Sequence, residues 1–514
     1  MNPAGERLKL FLLMGALAAV VYFGTQHSTL YAAFPMPASA IDRVIRFQWW
    51  FIVPYLSFFL LIVLPLFIIG DRQQVRDVAF GFGLIVTISG VMFLFWPTAV
   101  TSPVADSLKT LLALDTPRNA CPSLHASLAL FCTLCMNKTL ESRWARLGLW
   151  MWAILAVIST VLIKRHVAID IAAGAALGWL VHFILFREER TEDPDSAAVV
   201  ETLRIRNQLA QESNQELAAL RHHDGAERAK EFTFFFLLAT AGMLLSIWSR
   251  STAWTLGSVA GILVTAVALN SFPLLMHEGM HGILFPNRAW NWAVSVFLGA
   301  TFLMSFSSYR VLHIRHHRYL GDPRDPDDYH NYSRSRGMVW FLHFVRLTFG
   351  PLLYVFLIPI LALKYGTPAQ RKHICIEYTI LFAIYSALLR AVPARALFFV
   401  WFVPLLLMGV FTAIRGFTQH GITDAADPYL ASRTMLPNPV IAFFLLNENY
   451  HLEHHLFPEM PSYHLARLHQ LIWPKLPRAV AGHSYLAFLG SFLKATPRMD
   501  ETPIGLRRPE EEAQ

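Results

Sequence analysis

The chain has 514 residues, 55% of them hydrophobic and only 15% charged, and its mean hydropathy is +0.42. Apolar runs close to the length of a bilayer crossing recur throughout, which excludes a water-soluble globular enzyme and predicts an all-α polytopic membrane protein. The net charge of +8 does not point to nucleic acid, because the basic residues sit mainly in loops beside hydrophobic segments, where orientation signals belong.

Six hydrophobic segments fill the first part, near residues 9–24, 48–70, 78–98, 123–137, 147–164 and 167–186. Arg7 and Lys9 precede the first, as in a signal sequence. The nearest small-residue cleavage triplet, Ala38-Ser39-Ala40, lies too far downstream, so this segment is expected to be an uncleaved transmembrane helix. The four cysteines make no disulfide framework. Cys132 and Cys135 lie inside an apolar run, where a packed membrane helix is a simpler reading than a zinc or redox motif.

A polar stretch from 187 to 230 follows, too charged to cross a bilayer and with helical propensity over 203–220. It reads as a cytosolic linker between a domain at 1–186 and another at 231–514. The second domain resumes with apolar segments near 233–248 and 253–275, then continues with runs near 339–363, 375–392 and 396–414.

Nine histidines stand out in that second part: His277 and His281 in HEGMH, His313, His316 and His317 in HIRHH, His451, His454 and His455 in HLEHH, and His420 alone. Spacings of three and four put each cluster on one helix face, and imidazole is the commonest metal ligand at neutral pH. Three such faces at the membrane surface predict a metal site.

Charge and histidine position together predict topology. With the N-terminus cytosolic, Arg72, Arg76, Lys138, Arg143 and Arg146 and the linker also fall inside, as the positive-inside rule prefers. All nine histidines must share a face, so an even number of crossings separates HIRHH from His420. Of the three runs between them, 339–363 is broken by Gly350, Pro351 and Pro359 and holds His343 and Arg346. It is expected not to cross, which leaves ten crossings, six and then four.

A second constellation lies in the first domain: Cys121-Pro-Ser-Leu-His125 and Lys164-Arg-His-Val-Ala-Ile-Asp170. His166 with Asp170 four residues on suits an imidazole oriented by a carboxylate. His125 can protonate a leaving group. Arg118, Lys164 and Arg165, with Ser123, are the candidate phosphate-binding residues, because phosphate needs cationic partners in a partly dry site. In the topology above this site faces away from the cytosol.

These two elements resemble the type-2 phosphatidic acid phosphatase superfamily, closest to its inositol phosphorylceramide and sphingomyelin synthase-like branch. The resemblance implies a six-helix bundle in which His166 is the nucleophile that forms a phosphohistidine, Asp170 orients it and His125 is the acid. Two features depart from the pattern: no Lys-x6-Arg-Pro element lies upstream, and Thr160 stands where an arginine is usual. Lys164 or Arg165 is expected to replace that arginine.

Residues from about 233 onward resemble the membrane fatty acid desaturase and hydroxylase superfamily, through the three boxes, HHRYLGDPRDPDD after the second, and NENYHLEHHLFPEMPSYHLARLH around the third. The resemblance implies that all nine histidines bind two non-haem iron ions, with O2 as co-substrate. Gly416 stands four residues before His420, where some members have a ligand Asn. Asp327, Asp328, Asn447 and Asn449 are the expected outer partners of the ligands. No haem-binding HPGG element, iron–sulfur cysteine pattern or flavin fingerprint is present. An external electron donor of ferredoxin or cytochrome b5 type, with its reductase, is therefore implied, docking at a basic surface with Arg315, Arg318 and Arg324.

The expected protein is a bifunctional enzyme of membrane lipids: an O2-dependent desaturase or hydroxylase of an acyl chain held in an apolar tunnel, joined to a lipid phosphatase or phosphotransferase. Two alternatives remain at this point. One is a desaturase with a catalytically inactive, lipid-binding first domain. The other is a hydroxylase or ketolase of a non-acyl lipid.

Overall fold

The computed structural model describes residues 3–100, 118–186, 195, 197–249, 254–320, 324–327, 335–421 and 432–495. Their regular elements are helices apart from two pairs of two-residue parallel strands, Phe34–Pro35 with Thr98–Ala99 and Thr434–Met435 with Ala481–Gly482. The chain divides into two compact units, one of Met1–Glu189 with Tyr378–Arg390, the other of Arg190–Glu377 with Ala391–Gln514.

The main helices of the first unit are α1 (Pro3–Gln26), α2 (Ile52–Val63), α3 (Arg72–Phe95), α4 (Leu124–Asn137), α5 (Arg143–Leu162) and α6 (Ala168–Phe186). Short polar side chains start three of them. Asp71 accepts from Gln74 N at 2.7 Å, Ser123 from Ala126 N at 3.3 Å and Ser142 from Ala145 N at 3.4 Å, each satisfying an amide the helix leaves open. Glycines let α6 lie against α4: a Cβ at Gly174 or Gly178 would collide with the carbonyl oxygen of Ser123 or Ser127. This is the small-residue packing that apolar helices use in a bilayer, where lipid offers no hydrophobic drive to associate.

In the second unit, α7 (Ala197–Glu212) and α8 (Asn214–Leu220) come from the linker. They are no free tether: Ile205, Leu209, Leu217 and Leu220 are buried with Leu452, Leu456, Phe457 and Leu468 around the third box. The unit continues with α9 (Gly225–Trp248), α10 (Leu256–Leu269), α11 (Ser271–His281), α12 (Arg288–Ala300) and α13 (Phe306–Tyr319). Then come α14 (Arg336–Tyr365), α15 (Pro368–Ala391, divided between the units), α16 (Val403–His420), α17 (His451–Leu456) and α18 (Leu465–Ile472).

Among the described residues, nine helices are long and apolar enough to cross a bilayer, five in the sequence of the first domain and four in the second. The difference from ten lies at α4, whose 14 residues span roughly 21 Å at 1.5 Å per residue, short of a hydrocarbon core of about 30 Å. The run at 339–363 is not one straight span: Gly337–Gly350 and Tyr354–Tyr365 meet at 115°. Phe349 leaves helical geometry at the bend, next to Gly350 and Pro351, the residues that break a helix most readily.

Candidate functional sites

The second unit gathers the nine histidines. α11 supplies His277 and His281 and stops at Gly282, whose φ of 77° is a left-handed helix cap. α13 supplies His313, His316 and His317. Its start is pinned by the buried carboxylate of Glu377, which accepts from Ser307 N at 2.9 Å and Ser305 Oγ at 2.7 Å, a negative charge at the positive end of the helix. α16 ends on His420, and α17 holds the third box.

Their nitrogens converge. Nε2 of His281 lies 2.8 Å from that of His313, which is 3.1 Å from that of His317. His420 Nε2 is 2.8 Å from His451 Nε2, itself 3.1 Å from that of His455. Two sets form: His277, His281, His313, His317 and His454 have donor nitrogens within 4.8 Å of one another, and so do His316, His420 and His455. His451 adjoins the second set. Burial holds His313, His317, His451, His454 and His455 well below the usual imidazole range, the neutral form that ligates.

Carboxylates brace the far side of the rings. Glu448 Oε1 is 3.1 Å from His277 Nδ1, and both oxygens of Asp325 are within 3.0 Å of His316 Nδ1. Burial pulls the pKa of His316 down, but the Asp325 charge and hydrogen bond leave it raised. The carboxylates that meet these two rings are not among the residues expected in that role. Asp327, with its side chain 43% exposed, lies 3.8 Å from Arg346, and Asp328 lies outside the described residues. Asn449 donates to Met435 O at 2.8 Å, and Asn447 sits at a turn with φ of 59°; the carboxylate between them reaches the histidine. Nothing in the NENYH pattern favoured Glu448 over its neighbours.

The expected docking arginines are engaged within the unit. Arg315 stacks on Tyr319 and Tyr365 at 4.5 and 4.2 Å, Arg318 pairs with Asp195 at 2.7 Å, and Arg324 lies over Tyr319 at 4.5 Å.

In the first unit, His166 and Asp170 form a buried pair, Nδ1 to Oδ2 2.8 Å. The same carboxylate accepts from Val167 N at 3.1 Å, and the Asp170 carbonyl accepts from Ser123 N at 3.0 Å. His125 is stacked on Tyr55 at 4.7 Å and lies 5.6 Å from His166, ring to ring. Both histidines line an apolar cavity of ≈ 660 Å³ that runs along α1 and α2, and Arg118, Asn119 and Arg165 line it too. Lys164 and Ser123 do not line it. Lys164 Nζ donates to Asp42 O at 2.8 Å, and the Ser123 hydroxyl caps α4. Asp42 was not foreseen: it accepts from Ala168 N at 2.9 Å and so fixes the loop that presents His166.

The apolar helices and the two histidine-centred sites define a multi-pass membrane protein built from two enzyme-like domains. Residues 252–487 match the fatty acid desaturase family model and residues 95–192 match that of the PAP2 superfamily. The chain is thus a fusion of a PAP2 superfamily domain with a fatty acid desaturase domain. No curated protein matches it.

Proposed function

We propose that the protein is a bifunctional membrane enzyme whose desaturase domain oxidises a lipid acyl chain with O2 and whose PAP2 domain transfers or hydrolyses a lipid phosphate. The convergence of nine imidazoles is the observation that carries the first part. Imidazole nitrogens aimed at common centres, with carboxylates behind two of the rings, fit a pair of metal ions. His277, His281, His313, His317 and His454 would hold one and His316, His420, His451 and His455 the other. Bound there, non-haem iron supplies the activation of O2 that acid–base groups lack for attack on an unactivated C–H bond.

The chain's own residues orient the imidazoles through Glu448 and Asp325 and enclose the space beside them. Desaturation removes two hydrogens from the chain. With two electrons and two protons from an external ferredoxin- or cytochrome b5-type donor, it reduces O2 to two waters. Hydroxylation instead leaves one oxygen on the chain and yields one water. Lipid mass spectrometry separates the two: a loss of two hydrogens or a gain of one oxygen, either abolished by His454→Ala.

In the PAP2 domain, Asp170 holds the Nδ1 side of His166, which leaves Nε2 to attack phosphorus. His125 donates the proton that the departing alkoxide takes, and water or a lipid hydroxyl then releases the phosphoryl group from His166. The cavity along α1 and α2 suits a hydrocarbon chain, and Arg118 and Arg165 suit its phosphate. Phosphate release from a long-chain lipid phosphate, lost in His166→Ala and unchanged in His454→Ala, tests this reading. An accessible-cysteine scan tests the sidedness proposed from charge, with the linker and histidine boxes cytosolic and His166 on the other face.

A further inference from the structure

Polar and cationic side chains share the space where an apolar tunnel was expected. A cavity of ≈ 100 Å³ opens onto His277, His313, His316, His420 and His451, and Arg346 and Arg415 line it too. Arg346 is 9% exposed and stacks over Phe417 at 5.1 Å. Its Nη2 lies 2.6 Å from where a Cβ on Gly416 would stand. Gly416 is about one helical turn before His420, so the missing side chain leaves room for a guanidinium beside the histidines. Arg415 adjoins it in sequence: its Nε is buried and has no hydrogen-bond partner among the described residues.

A guanidinium nitrogen shut away from water is costly unless a hydrogen-bond acceptor meets it. Two carboxylates line the cavity. Asp327 stands 3.8 Å from Arg346, and Glu448 is turned to His277 at 3.1 Å. Neither is placed on Arg415 by a hydrogen bond or ion pair. The remaining wall includes Phe302, Met304, Ile358 and Met408, a surface for a short stretch of methylenes.

We infer that the substrate of the desaturase domain bears an anionic group, a carboxylate or a phosphate, that seats on Arg415 and Arg346. The carbon oxidised therefore lies near that group and not in the middle of the chain. A chain oxidised at its midpoint would carry its polar end away from the histidines and leave the Arg415 guanidinium facing methylenes. This inference rests on the reading of the domain as a lipid oxidase.

The test is binding to the full-length protein in nanodiscs, with and without iron, of palmitate, hexadecyl phosphate and the neutral hexadecanol. Wild type is expected to prefer one of the anions over the alcohol by about tenfold or more, the order of one charge-assisted hydrogen bond. Whichever anion shows the preference identifies the group. Arg415→Gln brings that preference within about twofold while hexadecanol still binds, which shows the cavity intact, and Arg415→Lys restores part of it. Gly416→Leu, which displaces Arg346, lowers it as well. Equal binding of anion and alcohol by wild type, or a preference untouched by Arg415→Gln, overturns the inference, as does a product oxidised at mid-chain. A preserved anion preference with no lipid oxidised by the iron-loaded protein would instead fault the oxidase reading.

Discussion

Asp325→Asn is the substitution that most sharply separates the geometry from the sequence pattern. The carboxylate is 5% exposed, lies within 3.0 Å of His316 Nδ1 through both oxygens and accepts from Asp327 N at 2.9 Å. Asparagine keeps the shape and one acceptor but removes the charge that raises the basicity of His316. Loss of such an outer partner weakens metal binding by about 10- to 100-fold. His316 belongs to the set with His420 and His455, so one of the two metals bears the loss. Iron measured on purified protein after a timed chelator challenge should fall toward half the wild-type content. Asp327→Asn, at the carboxylate facing Arg346, should stay within about twofold of the wild-type rate of loss. Wild-type retention in Asp325→Asn, or a larger effect from Asp327→Asn, would refute the assignment.

Four other results are expected. Lys164→Gln should change the KM for a lipid phosphate by less than about threefold, because its ammonium meets Asp42 O, whereas Arg165→Gln should raise it by about tenfold or more. Leu209→Ala and Leu217→Ala should each destabilise the desaturase domain by about 2–5 kcal/mol, the usual cost of truncating a buried leucine, seen as a lower midpoint in thermal unfolding. Gly178→Leu should abolish phosphate release and increase proteolysis of the PAP2 domain, since the new side chain collides with α4. Metal-free protein should lose stability as pH falls below about 6.5: the unfolded chain then takes up protons that buried His313, His317, His454 and His455 refuse. Thermal midpoints across that range that do not fall would contradict it.

The features visible in the sequence were those set by local spacing. Box histidines three and four apart fall on one helix face whatever packs against them, and His166 reaches Asp170 across a single turn. Gly350 and Pro351 mark the bend in α14 by backbone chemistry alone. What the sequence did not disclose depends on contacts between distant segments. Asp325, Asp327 and Asp328 are equivalent in a run of acids until the fold brings one against His316. Lys164 looks like a phosphate ligand until the loop of Asp42, 122 residues earlier, takes its ammonium. The linker's leucines read as ordinary helix positions, because their partners around the third box lie more than 200 residues away. In the sequence Arg346 only argues against a crossing by its helix; its place beside Gly416 depends on the packing of α14 against α16.

In the function proposed above, one chain houses two separable lipid chemistries. The most direct measurement is mass spectrometry of lipids from cells expressing wild type, His454→Ala and His166→Ala, together with iron analysis of each purified protein. Wild type should carry about two irons per chain and yield an acyl product that has lost two hydrogens or gained one oxygen. His454→Ala should lose that product, and His166→Ala should keep it while changing the lipid phosphate or head-group classes. Iron-free wild-type protein with lipids identical across all three would contradict the account.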